Sequence, residues 1–217
     1  MDDEAQAAAY AEADFAEPHD MFVDLFRQTW PDRDVTTAVL DLGCGPADIS
    51  CRFAHAYPQC HIDGVDGAAA MLACGRQLVS HQGLAERIDL YQCHLPEQMP
   101  PRADYPVIIS NSLLHHLAEP RVLWQTIRQC ASLDALVFVM DLMRPGDVTT
   151  AEAMVEQYAG NEPPVLRNDF YHSLLAAYTV AEVNDQLAAC GLSELTVRAV
   201  SDRHLMVSGA LHFRTED

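Results

Sequence analysis

The sequence predicts an α/β fold built on a doubly wound, mostly parallel sheet with helices on both faces. Residues 37–42 form a predicted buried strand that contains Asp41 and runs into a turn with Gly43 and Gly45. Glycine adopts positive φ angles and has no Cβ to keep a ligand away from the backbone. In doubly wound sheets, the turn after the first strand is where a nucleoside-containing cofactor binds.

Two further observations support this fold. A second predicted strand, residues 60–65, is followed by Asp66, which lies 21 residues after Gly45. This is about the spacing of a carboxylate that accepts hydrogen bonds from both hydroxyls of a ribose. Residues 135–141 form an apolar run, as expected for a strand whose two faces are both covered.

The other elements of the N-terminal half follow from breaks between apolar segments. Residues 1–30 are predicted to be helical. A second helix within them begins at Pro18 and ends before Pro31, because proline suits a first helical turn and cannot continue a helix. Further helices are predicted at residues 47–56, 68–80 and 119–131, and further strands at residues 87–93 and 105–110.

The C-terminal part contains an addition to the basic sheet. Residues 146–178 do not fit a minimal doubly wound fold and are predicted to be an insert. Thr179 and Glu182 form a predicted capping box that opens a helix, and Gly191 is its predicted stop. Two alternating strands that form an antiparallel hairpin are predicted at residues 195–199 and 204–209.

Three motifs in order carry a family resemblance. The first is residues 39–48, where an acid precedes the first glycine by two positions. The second is residues 61–66, followed by Met71 and Leu72, and the third is residues 107–117, VIISNSLLHHL. Together they resemble the class I S-adenosylmethionine (SAM) dependent methyltransferases of the small-molecule type. The resemblance implies a seven-stranded sheet in the order 3-2-1-4-5-7-6, an N-terminal helical arm and a helical insert after strand five.

The resemblance also implies one methyltransferase domain. A chain of 217 residues fits a single domain of roughly 100–200 residues with little excess. Its expected parts are an arm or lid at residues 1–35, a SAM-binding core at residues 36–145, an insert with the last helix at residues 146–192, and C-terminal antiparallel strands at residues 193–217.

The implied cofactor is SAM, with S-adenosylhomocysteine (SAH) as its product. Gly43 and Gly45 would pass under the methionine part of SAM. Asp41 would anchor the amino group, and Asp66 would hold the ribose. Many relatives carry an acid at the position of His94, but a neutral imidazole can accept the same hydrogen bond from adenine. The expected cofactor-binding residues are Asp41, Gly43, Cys44, Gly45, Asp66, Gly67, Met71, His94, Leu95, Asn111 and Ser112.

Substrate contacts are expected from the arm and the insert. Their Asp, Glu, Tyr and His side chains suit a small polar acceptor such as an amine, an amino-acid-like compound or an imidazole. No fixed catalytic triad is expected, since SAM carries the reactivity and only a protonated acceptor of low acidity needs a base. Catalytic candidates are Tyr10, His115, Asp169 and Tyr171, and substrate-binding candidates are Asp14, Phe15, His19, His116, Tyr158, Asn161, His172 and Arg203.

Composition narrows the expected partners. The formal net charge is −19 and all 13 basic side chains are arginine, which argues against a nucleic acid or an anionic membrane as the partner.

The 7 cysteines are an odd number without Cys-x-x-Cys spacing, which disfavours disulfides and zinc and indicates reduced thiols in the cytoplasm. No apolar run approaches the roughly 18 residues of a membrane span, and the acidic start is unlike a signal peptide. We expect a monomer or homodimer without a bound metal.

Two alternatives to a SAM-dependent enzyme stay open. The chain could be a relative that binds SAM or SAH without catalysis, as a partner or regulator. A nucleotide-linked oxidoreductase is disfavoured, because the NAD fingerprint needs a third glycine where Asp48 stands. Binding of SAM but not of NAD would exclude the oxidoreductase. A turnover measurement would then separate the methyltransferase from the relative without catalysis.

Overall fold

The computed structural model describes residues 16–212, which contain seven α-helices and seven strands. Strands β1–β7 are Ala38–Leu42, His61–Asp66, Ile88–Gln92, Tyr105–Asn111, Ala131–Leu142, Thr196–Ala199 and His204–Leu211. Helices α1–α7 are Ala16–Thr29, Asp48–Ala56, Ala69–His81, Arg121–Cys130, Val148–Ala159, Pro164–Ala176 and Val180–Ala189. A short 3₁₀ turn, Leu114–His116, follows β4.

All seven strands belong to one sheet in the order β3-β2-β1-β4-β5-β7-β6, which confirms the predicted order. Neighbouring strands pair in parallel from β3 across to β5. Strand β7 is antiparallel to both β5 and β6. The carboxyl ends of β1, β2, β4 and β5 therefore meet at one edge of the sheet, where ligands bind in such folds.

Helices cover both faces of the sheet, as the apolar pattern of β5 predicts. Successive strand residues point to opposite faces, and Val137 and Phe138 are fully buried in two different core clusters. Phe138 shares its cluster with side chains of α1 and α2. Val137 shares the other with α4 and α7, which contribute Trp124 and Leu187.

Strand β5 begins earlier than the sequence predicts. The predicted break between helix and strand at residues 132–134 is wrong, because α4 ends at Cys130 and β5 begins at Ala131. The reason is an irregular register between β4 and β5. Tyr105 pairs with Ala131, whereas Val107, two residues later in β4, pairs with Leu136, five residues later in β5. Such a bulge depends on strand pairing, and local periodicity does not reveal it.

The predicted insert consists of α5 and α6, which form a small core of their own. Asp147 caps α5, since its Oδ1 accepts a hydrogen bond from the backbone N–H of Thr150 at 2.7 Å. Buried side chains of both helices cluster with Leu142, the last residue of β5. This packing holds the insert against the carboxyl end of β5.

Helix α1, the described portion of the N-terminal arm, is part of the main core. Phe22 and Phe26 are fully buried. Their rings meet the ring of Phe138 edge to face, with centroids 4.9 and 5.5 Å apart. Phe26 also meets Phe53 of α2 at 4.9 Å. Residues 16–29 therefore act as a fixed layer over the sheet.

We expect Phe26→Ala to lower the free energy of unfolding by about 3–5 kcal/mol, because it leaves a cavity among four aromatic rings. Urea denaturation of the purified protein measures this change. Gln28→Ala, at an exposed position of the same helix, is the matched control and should change stability by less than about 0.5 kcal/mol. Equal, small effects of both substitutions would show that α1 is peripheral to the fold.

Candidate active site

The turn after β1 brings the backbone close to the ends of β2 and β4. The N–H groups of Gly43 and Cys44 donate to the carbonyl of Val65 at 2.8 and 3.1 Å. Gly43 has a φ of 72°, and a Cβ there would lie 2.8 Å from the side chain of Leu113, so the position requires glycine. Gly45 has a φ of 52°, and a Cβ there would meet no atom within 4 Å. The space beside Gly45 is therefore open to a ligand.

Asp66, at the end of β2, holds this turn from the other side. Its Oδ2 accepts a hydrogen bond from the N–H of Gly45 at 2.9 Å. Its Oδ1 accepts one from the N–H of Ala68 at 2.8 Å. A carboxylate offers about four lone-pair sites, so Asp66 retains capacity to accept hydrogen bonds from a ligand.

Asp41 is the buried carboxylate of β1. It is 1% exposed, and its Oδ2 accepts a hydrogen bond from the hydroxyl of Ser50 at 2.5 Å. Burial raises the pKa of Asp41 to about 7; the hydrogen bond from Ser50 opposes this effect and the charge of Asp66 adds to it. Asp41 is therefore partly protonated at neutral pH, and a cation beside it would favour the ionised form.

These groups surround a space of about 310 Å³, called here the glycine cavity. The predicted cofactor-binding residues that line it are Asp41, Gly43, Cys44, Gly45, Asp66, Met71, Asn111 and Ser112. Those that lie outside its lining are Gly67, His94 and Leu95. His94 is exposed, and its Nε2 lies 3.3 Å from Nε2 of Gln92.

A second space of about 450 Å³, called here the histidine cavity, lies between the carboxyl end of β5, the start of β7 and the insert. Five of the 10 histidines of the chain line it: His19, His115, His116, His172 and His204. Burial, followed by the neighbouring His115, lowers the pKa of His116 to about 4. Burial, followed by the charge of Arg203, lowers the pKa of His204 to about 4. These two imidazoles are therefore neutral at pH 7.

Charged side chains complete the wall of the histidine cavity. Glu162 and Asp169 contribute carboxylates, and Arg203 contributes a guanidinium. The guanidinium lies 3.4 Å from the centre of the Tyr158 ring and donates to Oδ1 of Asp202 at 3.1 Å. The Tyr158 hydroxyl donates to Oδ2 of the same Asp202 at 2.6 Å. The charge of Arg203 is thus balanced within this group.

The two cavities meet where β4 ends. The residues that line both are His19, Asn111, Ser112 and His116. Ser112 has a φ of 56°, and its N–H donates to the carbonyl of Met140 at 2.9 Å, which holds the strand end against β5. Oδ1 of Asn111 is buried and has no hydrogen-bond partner in the described part of the chain. Ligands bound in the two cavities would therefore be in contact at this boundary.

His115 and Asp141 form a buried pair beside the histidine cavity. Nδ1 of His115 lies 2.6 Å from Oδ1 of Asp141, and the two side chains are 4% and 1% exposed. Asp141 also accepts hydrogen bonds from the N–H groups of Leu114 at 2.7 Å and Leu142 at 2.8 Å. An ionised carboxylate only accepts hydrogen bonds, so Nδ1 of His115 is the donor and Nε2 is the ring nitrogen left for another partner.

Hydrogen bonds and ion pairs hold the start of α1 against the start of α2, beside both cavities. Nδ1 of His19 lies 2.6 Å from Oδ2 of Asp48, and Nε of Arg52 donates to the same oxygen at 2.6 Å. Arg52 also pairs with Asp20. Although burial raises the pKa of Asp48, the hydrogen bonds of His19 and Arg52 outweigh it and lower the pKa. His19 and Asp48 both line the glycine cavity, so α1 forms part of its wall.

The predicted catalytic and substrate-binding residues fall into three groups. Those that line the histidine cavity are His19, His115, His116, Tyr158, Asp169, His172 and Arg203. Those that belong to the insert but lie outside this lining are Asn161 and Tyr171. Those that lie outside the described residues are Tyr10, Asp14 and Phe15.

Sequence reasoning missed Asp48, Asp141 and His204 as site residues. Asp141 had a signal, because it lies one residue before the end of a buried strand as Asp41 does, and ligands bind at the carboxyl ends of such strands. His204 had none. It reaches the cavity because β7 runs antiparallel to β5 and pairs it with Leu142 at the strand end.

Among residues 16–212, no three His, Cys, Asp or Glu side chains are arranged to hold a metal ion. The same range contains no helix that is both long and apolar enough to cross a bilayer. The 7 cysteines all lie within it and are unpaired.

Known proteins share this fold. A Methanococcus maripaludis protein, provisionally described as a SAM-dependent methyltransferase, aligns with a TM-score of 0.76 at 14% identity, over 99% of this chain and 96% of its own. A SAM-dependent methyltransferase from Aquifex aeolicus aligns with a TM-score of 0.68 at 16% identity, over 96% and 98% of the two chains. The plantazolicin methyltransferase BpumL, in complex with a triazolic desmethylPZN analogue and SAH, aligns with a TM-score of 0.70 at 12% identity, over 96% of this chain and 91% of BpumL.

Sequence comparison finds two partial similarities within this fold. A segment of 82 residues is 30% identical to an uncharacterized protein of Synechococcus sp.. The segment covers 38% of this chain and 20% of that protein, so the chain spans about a fifth of the curated relative it matches. Residues 39–133 match the family model described as a methyltransferase domain. The chain therefore has the class I, Rossmann-like fold of the SAM-dependent methyltransferases, and its residues 39–133 are similar to a methyltransferase domain.

Proposed function

We propose that this protein transfers the methyl group of SAM, bound in the glycine cavity, to a small polar acceptor in the histidine cavity. The observation that carries the proposal is the meeting of the two cavities at Asn111, Ser112 and His116. Methyl transfer needs the acceptor atom roughly 3 Å from the methyl group, so donor and acceptor sites must share a boundary. Cavities of about 310 and 450 Å³ suit small ligands.

The residues of the glycine cavity fit SAM. Gly45 leaves open space where a Cβ would stand, and Asp66 can accept hydrogen bonds from ribose hydroxyls. Asp41 offers a buried carboxylate to the amino group of the methionine part. SAM, when bound, supplies a methyl group activated by a sulfonium, while the protein supplies position and electrostatics.

The charges of the histidine cavity favour an amine as the acceptor. Glu162 contributes a carboxylate to its wall, and the guanidinium of Arg203 is paired with Asp202. An ionised carboxylate in the wall attracts an ammonium group and repels carboxylate or phosphate ligands. The net charge of −19 adds a long-range attraction for cations.

An ammonium group must lose a proton before its nitrogen can accept a methyl group, and His115 is the base that we propose. Asp141 holds Nδ1–H, which leaves Nε2 to accept the proton. The freed nitrogen lone pair then forms the N–C bond, and the electron pair of the broken S–C bond stays on sulfur. The proton on Nε2 passes to solvent after the product leaves.

Calorimetric titration tests the cofactor. We expect SAM and SAH to bind with roughly micromolar dissociation constants and NAD not to bind. Asp66→Ala should weaken SAM binding by about 1–3 kcal/mol, because the hydrogen bonds to the ribose are lost. Asp89→Ala, which removes an exposed carboxylate on the neighbouring strand, is the control and should leave the affinity unchanged.

A thermal melt must accompany the Asp66→Ala titration, because Asp66 also binds the N–H groups of Gly45 and Ala68. Unchanged SAM affinity in a folded variant would mean that the ribose is held by other residues. Wild-type protein that binds neither SAM nor SAH would refute the proposed function as a whole.

Asp41 should make SAM binding pH-dependent. Its pKa is about 7 without a ligand, and an ammonium beside it would lower that value. Binding near pH 7 should therefore release about half a proton per site, and SAM affinity should rise between pH 6 and 8. Calorimetry in buffers of different ionisation enthalpy measures the release. In Asp41→Asn the release should vanish, and an identical release in that variant would assign it to another group.

His115→Gln should lower kcat for small primary amines by about 10²-fold or more at pH 7, because the proton acceptor is lost. The panel is n-butylamine, benzylamine and histamine, and SAH release is the readout. The loss should shrink as pH rises towards the pKa of the amine, since the acceptor then arrives deprotonated. His116→Gln, at the adjacent position that also lines the cavity, is the comparison variant. A larger loss from His116→Gln than from His115→Gln would assign the base to His116.

A further inference from the structure

Ser201, in the turn between β6 and β7, fixes the tautomer of His204. The hydroxyl oxygen of Ser201 accepts hydrogen bonds from the N–H groups of Arg203 at 3.2 Å and His204 at 3.0 Å. A hydroxyl has two lone pairs and one hydrogen, so these two donors use its accepting capacity. The same oxygen lies 2.9 Å from Nδ1 of His204. The hydroxyl hydrogen is therefore donated to Nδ1, which is the unprotonated nitrogen of the ring.

The neutral ring of His204 consequently carries its hydrogen on Nε2. Burial, followed by the charge of Arg203, lowers the pKa of His204 to about 4, and the carboxylates of Asp141 and Asp202 oppose this shift without outweighing it. In a neutral imidazole, one nitrogen donates and the other accepts. His204 is thus an uncharged donor at Nε2. His115 is held in the opposite sense, because its Nδ1 donates to Asp141.

The position of His204 indicates which ligand this donor serves. His204 lines the histidine cavity, and the lining of the glycine cavity does not include it. The residue is 6% exposed, and the hydrogen bond that its ring makes within residues 16–212 is the one at Nδ1. A buried donor without an acceptor is destabilising, so a ligand that accepts a hydrogen bond from Nε2 would be favoured. Because SAM is proposed to bind in the other cavity, that ligand is the methyl acceptor.

Apolar side chains beside His204 describe the rest of such a ligand. Leu142 pairs with His204 across β5 and β7, and it lines the cavity together with Met140 and Phe170. Small-ligand sites combine an apolar lining with a few polar groups that fix orientation. The histidine cavity therefore suits an apolar carbon skeleton that carries polar atoms at separate places.

We propose that Nε2–H of His204 donates a hydrogen bond to an uncharged accepting atom of the methyl acceptor, such as a ring nitrogen or a carbonyl oxygen. This inference rests on the proposed function. It narrows the substrate class to small amines whose apolar skeleton carries such an atom apart from the amine. The amine gives up its proton to His115, and the second atom accepts from His204. A hydrocarbon amine leaves Nε2–H without a partner and is a poorer substrate.

The test compares benzylamine with the three isomers of aminomethylpyridine, which replace one ring C–H by an unprotonated nitrogen without changing the size. For the best isomer, wild-type protein should show a kcat/KM about 10-fold or more above that for benzylamine, because one hydrogen bond to a buried donor is gained. Calorimetric titration of the protein saturated with SAH should show the same preference in affinity. Mass spectrometry should place the transferred methyl group on the amine.

Two substitutions of His204 separate a donor to the cavity from a structural role. His204→Gln places an amide N–H near the position of Nε2 and should keep the preference for the pyridine nitrogen. His204→Asn keeps an amide oxygen for the Ser201 hydroxyl, but its shorter side chain withdraws the donor from the cavity. It should abolish the preference in both kcat/KM and affinity. Thermal melts establish that both variants are folded.

The outcomes separate this inference from the proposed function. If wild-type protein methylates benzylamine and all three isomers equally well, the role of His204 fails and the proposed function stands. If it methylates none of them but binds an isomer with a preference that His204→Asn abolishes, the proposed function fails and the donor role of His204 stands. Absence of both turnover and binding would refute both.

Two further results would overturn the role of His204 alone. A preference that persists in folded His204→Asn would assign the hydrogen bond to another donor. A methyl group found on the pyridine nitrogen would show that this atom faces SAM. Should His204→Asn not fold, the comparison of the isomers with benzylamine in the wild type decides, since no preference there contradicts the inference by itself.

Discussion

The site depends on carboxylates at the carboxyl ends of parallel strands and on the donors that satisfy them. Asp66 ends β2 and accepts the N–H of Gly45 from the turn after β1. Asp141 lies at the end of β5 and accepts the N–H of Leu114 from the turn after β4. Burying a carboxylate without such donors costs several kcal/mol. Each of these acids therefore holds a loop from a neighbouring strand at the edge of the sheet, where both cavities open.

Two groups at this edge are less well satisfied, and both face a cavity. Asp41 has the hydroxyl of Ser50 as its donor, and burial raises its pKa to about 7. Oδ1 of Asn111 has no donor in the described residues. Buried polar groups without full hydrogen bonding are rare in folded proteins and concentrate at functional sites. A cation beside Asp41 and a donor beside Asn111 would complete the hydrogen bonding of this edge.

Most of the fold could be predicted because its signals are local. Glycines, caps and apolar runs mark the ends of helices and strands, and the three motifs stand in the order that the family resemblance requires. The start of β5 could not be predicted in this way. Residues 132–134 lie in the irregularity of the register between β4 and β5, between the pairs Tyr105–Ala131 and Val107–Leu136. That register is decided by pairing between distant segments, which local sequence patterns do not encode.

The sequence by itself determined the glycine turn after β1 and the carboxylate that ends β2, because Gly43, Gly45 and Asp66 lie in short segments whose conformations follow from their own residue types. The tertiary structure alone decided the histidine cavity. Its histidines come from α1, the turn after β4, the insert and β7, and they meet only when these elements pack on the end of β5. It also decided that Asp141 orients His115, a contact across 26 residues of chain. The physical reason is that side-chain packing and non-local strand pairing, which set these contacts, depend on the whole fold.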